Sequence, residues 1–358
     1  MTIQSATASY EKWMASGGAR LVAADLRHKH KLMRHSPFEL FRGTFYRWMQ
    51  LWSEVCSDLN GAPRLLAVGD LHIENFGTWR DAEGRLIWGC NDFDEAHTFP
   101  YTLDLVRLAT SAHLASAANH LAIRRRDASD VILDGYRDAL DAGGRPYVLG
   151  EHHVWLRQIA HARLRDPVLF WERMEQQPRW RGPVPVEARR GLESMLPDRG
   201  LPCEIKRRVA GIGSLGHQRV VFIADHLGGR IAREAKALVP SACVWARKQP
   251  SRELHYSRIV DRSVRVRDPF VHVEGNWVLR RLASDCSRIE LFMLPAARDE
   301  ERLLYAMGWE TGNIHLASPA AIRGVLRDLK KRPARWLHHA SKAMVAATRR
   351  DWKDWRKG

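Results

Sequence analysis

The sequence predicts an α+β protein, and three observations carry that expectation. Apolar residues Leu40, Phe41, Phe45, Trp48, Met49 and Trp52 recur at helical spacing within residues 37–56. Two short strand-like runs, RLLAV at 64–68 and RLIWGC at 85–90, each end in a polar cluster. Residues 204–238 then alternate strand-like segments with glycine turns: EIKRRVAG, IGSLG, HQRVVFIAD, HLGG and RIAREAKAL. At 358 residues the chain can bury a large core as one domain or two lobes.

Composition narrows the class. Hydrophobic residues make up 45% and charged residues 27%, the balance of a globular chain. No stretch approaches the roughly 20 apolar residues a membrane helix needs. The first residues, MTIQSATASYEKWMASGG, lack an apolar core of the signal-peptide kind. The five cysteines, Cys56, Cys90, Cys203, Cys243 and Cys286, are scattered, with no CxxC pair. That argues against a zinc site or a disulfide framework and for a reduced, cytoplasmic protein with no membrane partner. The net charge is +16. Residues 321–358 hold twelve Lys or Arg against three Asp, a net +9. Alternation with Trp336, Leu337, Met344 and Val345 predicts a helix with a solvated basic face. Its sharper alternative is a surface for an acidic partner: nucleic acid, an acidic protein or a phosphorylated metabolite.

The elements follow in order. Ser36 caps a helix over 37–56, and Pro37 suits its first position. The strand at 64–68 runs into AVGDLHIENFG, which packs Asp70, His72, Glu74 and Asn75 together. The turn DAEG at 81–84 precedes the strand at 85–90, which runs into NDFDEA at 91–96. The two strands, read as a hairpin, deliver both polar clusters to one end. Residues 103–118 and further segments to about 177 read as helical. Residues 178–202, rich in Pro, Gly and Arg, read as a linker or lobe boundary. After the three glycine-linked strands, a helix starts near Ser251, a strand lies at 276–282, and the chain from about Pro295 is helical. No internal repeat is visible.

GIGSLG at 211–216 matches GxGxxG. A dinucleotide-binding turn would be followed by a helix, whereas HQRVVFIA suits a strand. Strand, glycine loop, strand is the arrangement of the kinase glycine-rich loop, whose backbone covers nucleotide phosphates. A phosphate-binding cation would sit on the next strand. Arg233 and Lys236, three apart, point to opposite faces there. Lys236 is the compact point charge that phosphates favour.

GDLHIENF, NDFDEA and a DL-containing helix together resemble the signature of aminoglycoside and choline kinase-like phosphotransferases. KHKLMRHSPFELFRG (29–43), GDLHIENFG (69–77), NDFDEA, TLDLVRLA (102–109) and GIGSLG resemble more closely the bacterial domain of unknown function 2252. That family is assigned to the protein-kinase-like superfamily, and the resemblance spans most of the chain. It implies a two-lobed kinase-like fold. The catalytic motifs precede the glycine loop, so the fold would be circularly permuted. Residues 1–180 would carry the catalytic motifs, 200–292 the nucleotide-covering β lobe, and 293–358 helices that rejoin the catalytic lobe. One departure stands out: the family shows Lys-Glu-Ala where this chain has Arg233-Glu234-Ala235, followed by Lys236.

The resemblance also implies roles. Asp70 is the base for an acceptor hydroxyl, Asn75 and Asp92 hold Mg²⁺ on ATP, and His72 braces the catalytic loop. Asp94 is a second ligand or a structural acceptor. Asp104 holds the loop backbone. Gly211, Gly213, Ser214 and Gly216 cover the phosphates, which Arg233 or Lys236 contacts. Arg42 braces the acidic loop or meets substrate. Glu253 pairs with the cation or faces solvent. The leading expectation is an ATP- and Mg²⁺-dependent phosphotransferase with an acceptor of unknown identity, acidic or phosphorylated among the options. The alternatives are a catalytically silent kinase-like binding module, an AMP-transferring enzyme using the same residues, and a nucleic-acid-binding protein using the basic C-terminus.

Overall fold

The computed structural model describes residues 1–118, 120–150, 153–160, 166–286 and 299–358. Its elements, in chain order, begin with α1 (Ile3–Ser16), α2 (Ala23–Met33), α3 (Pro37–Gly43) and α4 (Phe45–Val55). Four strands follow: β1 (Arg64–Ala67), β2 (Phe76–Arg80), β3 (Leu86–Cys90) and β4 (His97–Pro100). Then come α5 (Thr102–Ala117), α6 (Arg125–Ala142), β5 (Tyr147–Val148), α7 (Val154–Ala160), α8 (Pro167–Glu175) and α9 (Val186–Ser194). Strands β6 (Glu204–Arg207), β7 (Arg219–His226) and β8 (Gly229–Ala237) lead to α10 (Ala242–Ala246) and α11 (Tyr256–Arg262). Strands β9 (His272–Glu274) and β10 (Trp277–Leu282) precede α12 (Glu300–His315), α13 (Pro319–Lys331) and α14 (Trp336–Lys357). The fold is α+β, as the sequence predicts.

Several expectations need correction. The helix predicted over 37–56 is two helices. Thr44 leaves helical geometry at φ −133°, ψ 47°, and its hydroxyl donates to the Leu40 carbonyl at 2.7 Å. The predicted hairpin uses other strands. β1 pairs with β4, and β3 pairs with β2, which begins at the Phe76-Gly77 end of the AVGDLHIENFG stretch. The predicted turn at 81–84 does close the β2–β3 hairpin: Asp81 Oδ1 accepts the Glu83 and Arg85 amides at 3.1 and 2.8 Å. The two polar clusters still meet at one hairpin end, where the Asn91 amide donates to the Asn75 carbonyl at 3.0 Å. The segment 178–202 is no mere linker. Its α9 buries Ala188 and Leu192 against Val220, Phe222, Ala235 and Leu279. The helix expected near Ser251 begins at Tyr256. The expected start of the last helical region, near Pro295, and the boundary at 292–293 lie outside the described residues.

The three glycine-linked strands form, with β9 and β10, a five-stranded antiparallel sheet of order β6-β7-β8-β10-β9. Its register decides which residues share a face. Arg219 pairs with Lys236, and Arg280 pairs with Glu234, so these four side chains share one face. Arg233 falls on the other face, beside the surface that α9 covers. The large core gathers α4, α5, β1 and α12 with the inner face of α14. Eleven of the twelve basic residues in 321–358 are exposed, all but Arg332, while Trp336, Leu337, Met344, Val345 and Trp355 are buried. The solvated basic face is therefore real.

Candidate functional site

Helix α5 positions the GDLHIENF loop. The helix is buried almost throughout, and of its polar residues Asp104, Arg107 and Ser111 stand i, i+3 and i+7, on one face. Asp104 accepts the Val68 and Gly69 amides at 2.7 and 2.9 Å, and its Oδ2 lies 3.1 Å from His315 Nε2. The Ser111 hydroxyl accepts the Ile73 amide at 3.0 Å. Arg107 donates through Nε to Asp70 Oδ1 at 2.7 Å, and its Nη2 donates to the same oxygen and to the Phe41 carbonyl at 3.0 Å. The fully buried guanidinium lies over the rings of Phe41, Phe45 and Trp48, 4.0–4.9 Å from their centroids. The three aromatics come from α3 and α4, so the break at Thr44 lets two helices cup one cation.

Within the loop, His72 Nδ1 accepts the Glu74 amide at 3.2 Å, and Asn75 Oδ1 accepts the His72 amide at 2.8 Å. His72 thus braces the loop through one ring nitrogen. Arg42 pairs with Glu74 at 2.7 Å, which makes it a brace of the acidic loop. Gly69 has φ +82°, and a Cβ there would stand 2.6 Å from the Glu95 carbonyl oxygen, so the loop closes onto NDFDEA only with glycine.

The glycine loop faces this cluster. Asp70, His72, Asn75, Asp92, Asp94, Glu95, Gly211, Gly213 and Ser214 line one cavity of about 50 Å³. A Cβ on Gly213 would stand 3.2 Å from the Arg42 carbonyl oxygen and 3.6 Å from Asp70 Oδ2. The loop is held down by α2: the Val22 amide donates to the Gly216 carbonyl at 2.8 Å, and Lys29 Nζ donates to the Gly213 carbonyl at 3.3 Å. Ile212 and Leu215 are buried with Ile3, Met33, Leu40 and Trp355. Lys29 carries no local signal of this role, because its partner, the Gly213 carbonyl, lies 184 residues further along the chain. Arg107 and Ser111 were missed, although their spacing on one helix face was a readable signal.

Lys236 reaches into the cluster, 3.3 Å from Asp92 Oδ1 and in closer contact with Asp94 Oδ2. Arg233 turns away. It donates to the Met195 and Ala232 carbonyls and lies 4.9 Å from the Phe270 ring centroid. Glu253 is exposed and stands 3.5 Å from His255 Nδ1. Beside Lys236, buried Glu234 binds Arg208 at 3.0 Å, Arg219 at 3.4 Å and Arg280 at 2.5 Å. Burial opposes its charge, but Arg280, Arg208 and Arg219 hold its carboxyl well below the usual range. Arg219 also donates to the Ser214 hydroxyl, tying the sheet to the glycine loop.

Three of the carboxylates lining the cavity, Asp70, Asp94 and Glu95, bind protons more readily than usual. Burial raises Asp70, against the opposing pull of Arg107. Burial and the neighbouring Asp92 raise Asp94, with Lys236 opposing. Burial pushes Glu95 up to about 8 against hydrogen bonds from Ser241 and the Ala242 amide. Burial lowers Lys29 to about 8. Asp94 Oδ1 is buried without a hydrogen-bond partner among the described residues. Among those residues no group of three His, Cys, Asp or Glu side chains is placed to hold a metal ion by itself. A divalent ion here would rest on Asp92, the unpartnered Asp94 oxygen and the second lone pair of Asn75 Oδ1, with a ligand's oxygens completing its shell.

Residues 20–166 match the family model described as an uncharacterized protein conserved in bacteria (DUF2252). The matched stretch holds Lys29, Arg42, the Asp70–Asn75 loop, Asp92, Asp104 and Arg107, and ends before the glycine loop. No curated protein and no solved structure matches the chain. No helix among the described residues is long and apolar enough to cross a membrane.

Proposed function

We propose that this protein transfers a phosphoryl group from Mg²⁺–ATP to an acceptor hydroxyl, on a kinase-like two-lobed architecture with circularly permuted motifs. One observation carries the reading. The loop with Asp70 and Asn75, the turn with Asp92 and Asp94, and the glycine loop line one cavity, and Lys236, from a further strand, contacts Asp92 and Asp94 in its wall. The glycine loop joins the first two strands of its sheet and the lysine stands on the third, as in protein kinases. The domain division proposed is residues 1–180, 200–292 and 293–358, the last packing back through α12 on α6 and α14 on α5.

Each side chain then has a task. Asp70 Oδ2 takes the acceptor's proton as that oxygen bonds to phosphorus and the bond from phosphorus to the departing ADP oxygen breaks. Arg107, holding Oδ1, fixes the direction of Oδ2, and burial of Asp70 strengthens it as a base. Asn75, Asp92 and Asp94 would hold the ion. Mg²⁺, when bound, neutralises phosphate charge. Lys236 would exchange its carboxylate partners for phosphate, leaving Asp92 and Asp94 to the ion. A cavity of about 50 Å³ has room for one or two waters at about 30 Å³ each. Nucleotide entry therefore requires the glycine loop to lift.

The test is calorimetric titration with ATP, with and without Mg²⁺, followed by product analysis. Asp92→Ala is expected to abolish metal-dependent binding. Asp70→Asn is expected to keep binding while slowing turnover by about 10²-fold or more. ADP and a phosphorylated product support phosphoryl transfer, whereas pyrophosphate release would reassign the same residues to AMP transfer. ATP that fails to bind the parent protein in either condition would overturn the reading.

A further inference from the structure

A second cavity, of about 640 Å³, adjoins the first. The two share wall residues: His217 and Val239 line both, and α1 gives Tyr10 to the small cavity and Trp13 and Met14 to the large one. The size lies within the roughly 300–1,000 Å³ of sites for small organic ligands. Its wall is largely apolar, with Trp13 and Trp277 supplying aromatic surface. Its charged lining residues are Arg20 and Arg252 against Glu187, a positive balance. Arg252 is set in place by a 3.1 Å hydrogen bond to the Gly17 carbonyl and lies over the Trp13 ring, 5.8 Å from its centroid. A guanidinium held in this way offers its remaining N–H groups to a carboxylate, sulfonate or phosphate.

At the junction, His217 Nδ1 is buried and has no hydrogen-bond partner among the described residues. Burial and the nearby Lys29, Lys236 and Arg219 lower His217 to about 3, so its imidazole is neutral at physiological pH. A neutral imidazole in the wall shared by the two cavities can meet a hydroxyl as donor or acceptor once its ring turns toward it.

From this arrangement we infer that the larger cavity is a binding site for a small aromatic-bodied anion. On the reading of the preceding subsection, it holds the acceptor, whose hydroxyl passes His217 toward Asp70. The anionic group pairs with Arg252 at the far end, and the ring packs between Trp13 and Trp277.

The probe is naphthalenesulfonate, an aromatic anion with no hydroxyl to react, titrated calorimetrically into the whole chain. Saturable binding at one site is expected. Arg252→Glu and the cavity-filling Leu254→Trp should each weaken it by about tenfold or more, with the circular dichroism spectrum unchanged. Absence of saturable binding to the parent, or parent-like affinity in both variants, would overturn the site. Asp92→Ala separates the two proposals, since it should lose Mg²⁺–ATP and keep naphthalenesulfonate. If ATP never binds the parent while the Arg252 dependence persists, the anion site stands, and both phosphoryl transfer and the acceptor role fall.

Discussion

Arg107 shows how one side chain can set the state of another. It is fully buried, ringed by three aromatics and committed to a single oxygen of Asp70. Its removal would leave a largely buried carboxylate without its cation, so Arg107→Ala should destabilise the fold by about 3 kcal/mol in urea titrations. Arg107→Ala paired with Asp70→Asn should recover part of that loss, because the charge left unpaired is gone. A double variant no better than the single one would mean that Arg107 acts through packing alone. Glu95 offers a pH test. Its folded pKa, raised by burial to about 8 from 4.5, means that the folded state holds a proton the unfolded chain releases. Its contribution is fully present below about 4.5 and is lost as pH rises toward 8. Glu95→Gln keeps an acceptor for the Ala242 amide, which the parent side chain accepts at 2.7 Å. Thermal melts of the variant should therefore fall less between pH 5 and 8 than those of the parent. Parallel curves would show that Glu95 does not titrate in that range.

At the level of elements, α5 measures out the GDLHIENF loop, and α2 holds the glycine loop against it. Gly213→Val should block the close approach to Asp70 and Arg42, weakening Mg²⁺–ATP binding while leaving the melting temperature near that of the parent, since the position is exposed. Unchanged ATP affinity in that variant would remove Gly213 from the site. Much of this was legible in the sequence. The glycine-linked strands β6, β7 and β8 stand where their residues predict, because β-branched runs between glycines leave little choice. The spacing of Arg233 and Lys236 forced them onto opposite faces, and the sheet register shows which face each takes. Strand pairing around the GDLHIENF loop was not legible. β1 and β4 find each other across the loop and a whole hairpin, and short strands carry no local mark of a distant partner. The break at Thr44 was hidden because Leu40 to Trp52 keep helical spacing across it. The contacts of Lys29, Arg42 and His217 depend on chain segments far away, so no local pattern reveals them.

Over the whole molecule, charge and closure set further expectations. The exposed charged residues of α13 and α14 are basic except for Asp354. If this face meets nucleic acid, binding to single-stranded DNA should weaken with salt, with a logarithmic slope of about −0.7 per phosphate neutralised. No binding at low salt would leave those helices as a solvated face. The glycine loop bears on kinetics. On the proposed function, the buried side chains of Ile212 and Leu215 and the Lys29 contact would have to be released before the small cavity admits a triphosphate. In rapid mixing, the observed rate of ATP association should therefore rise with nucleotide concentration and then level off at the rate of loop release. Ile212→Ala should raise that plateau more than it changes the initial slope. A rate that climbs linearly throughout would mean that the doorway stands open faster than nucleotide arrives.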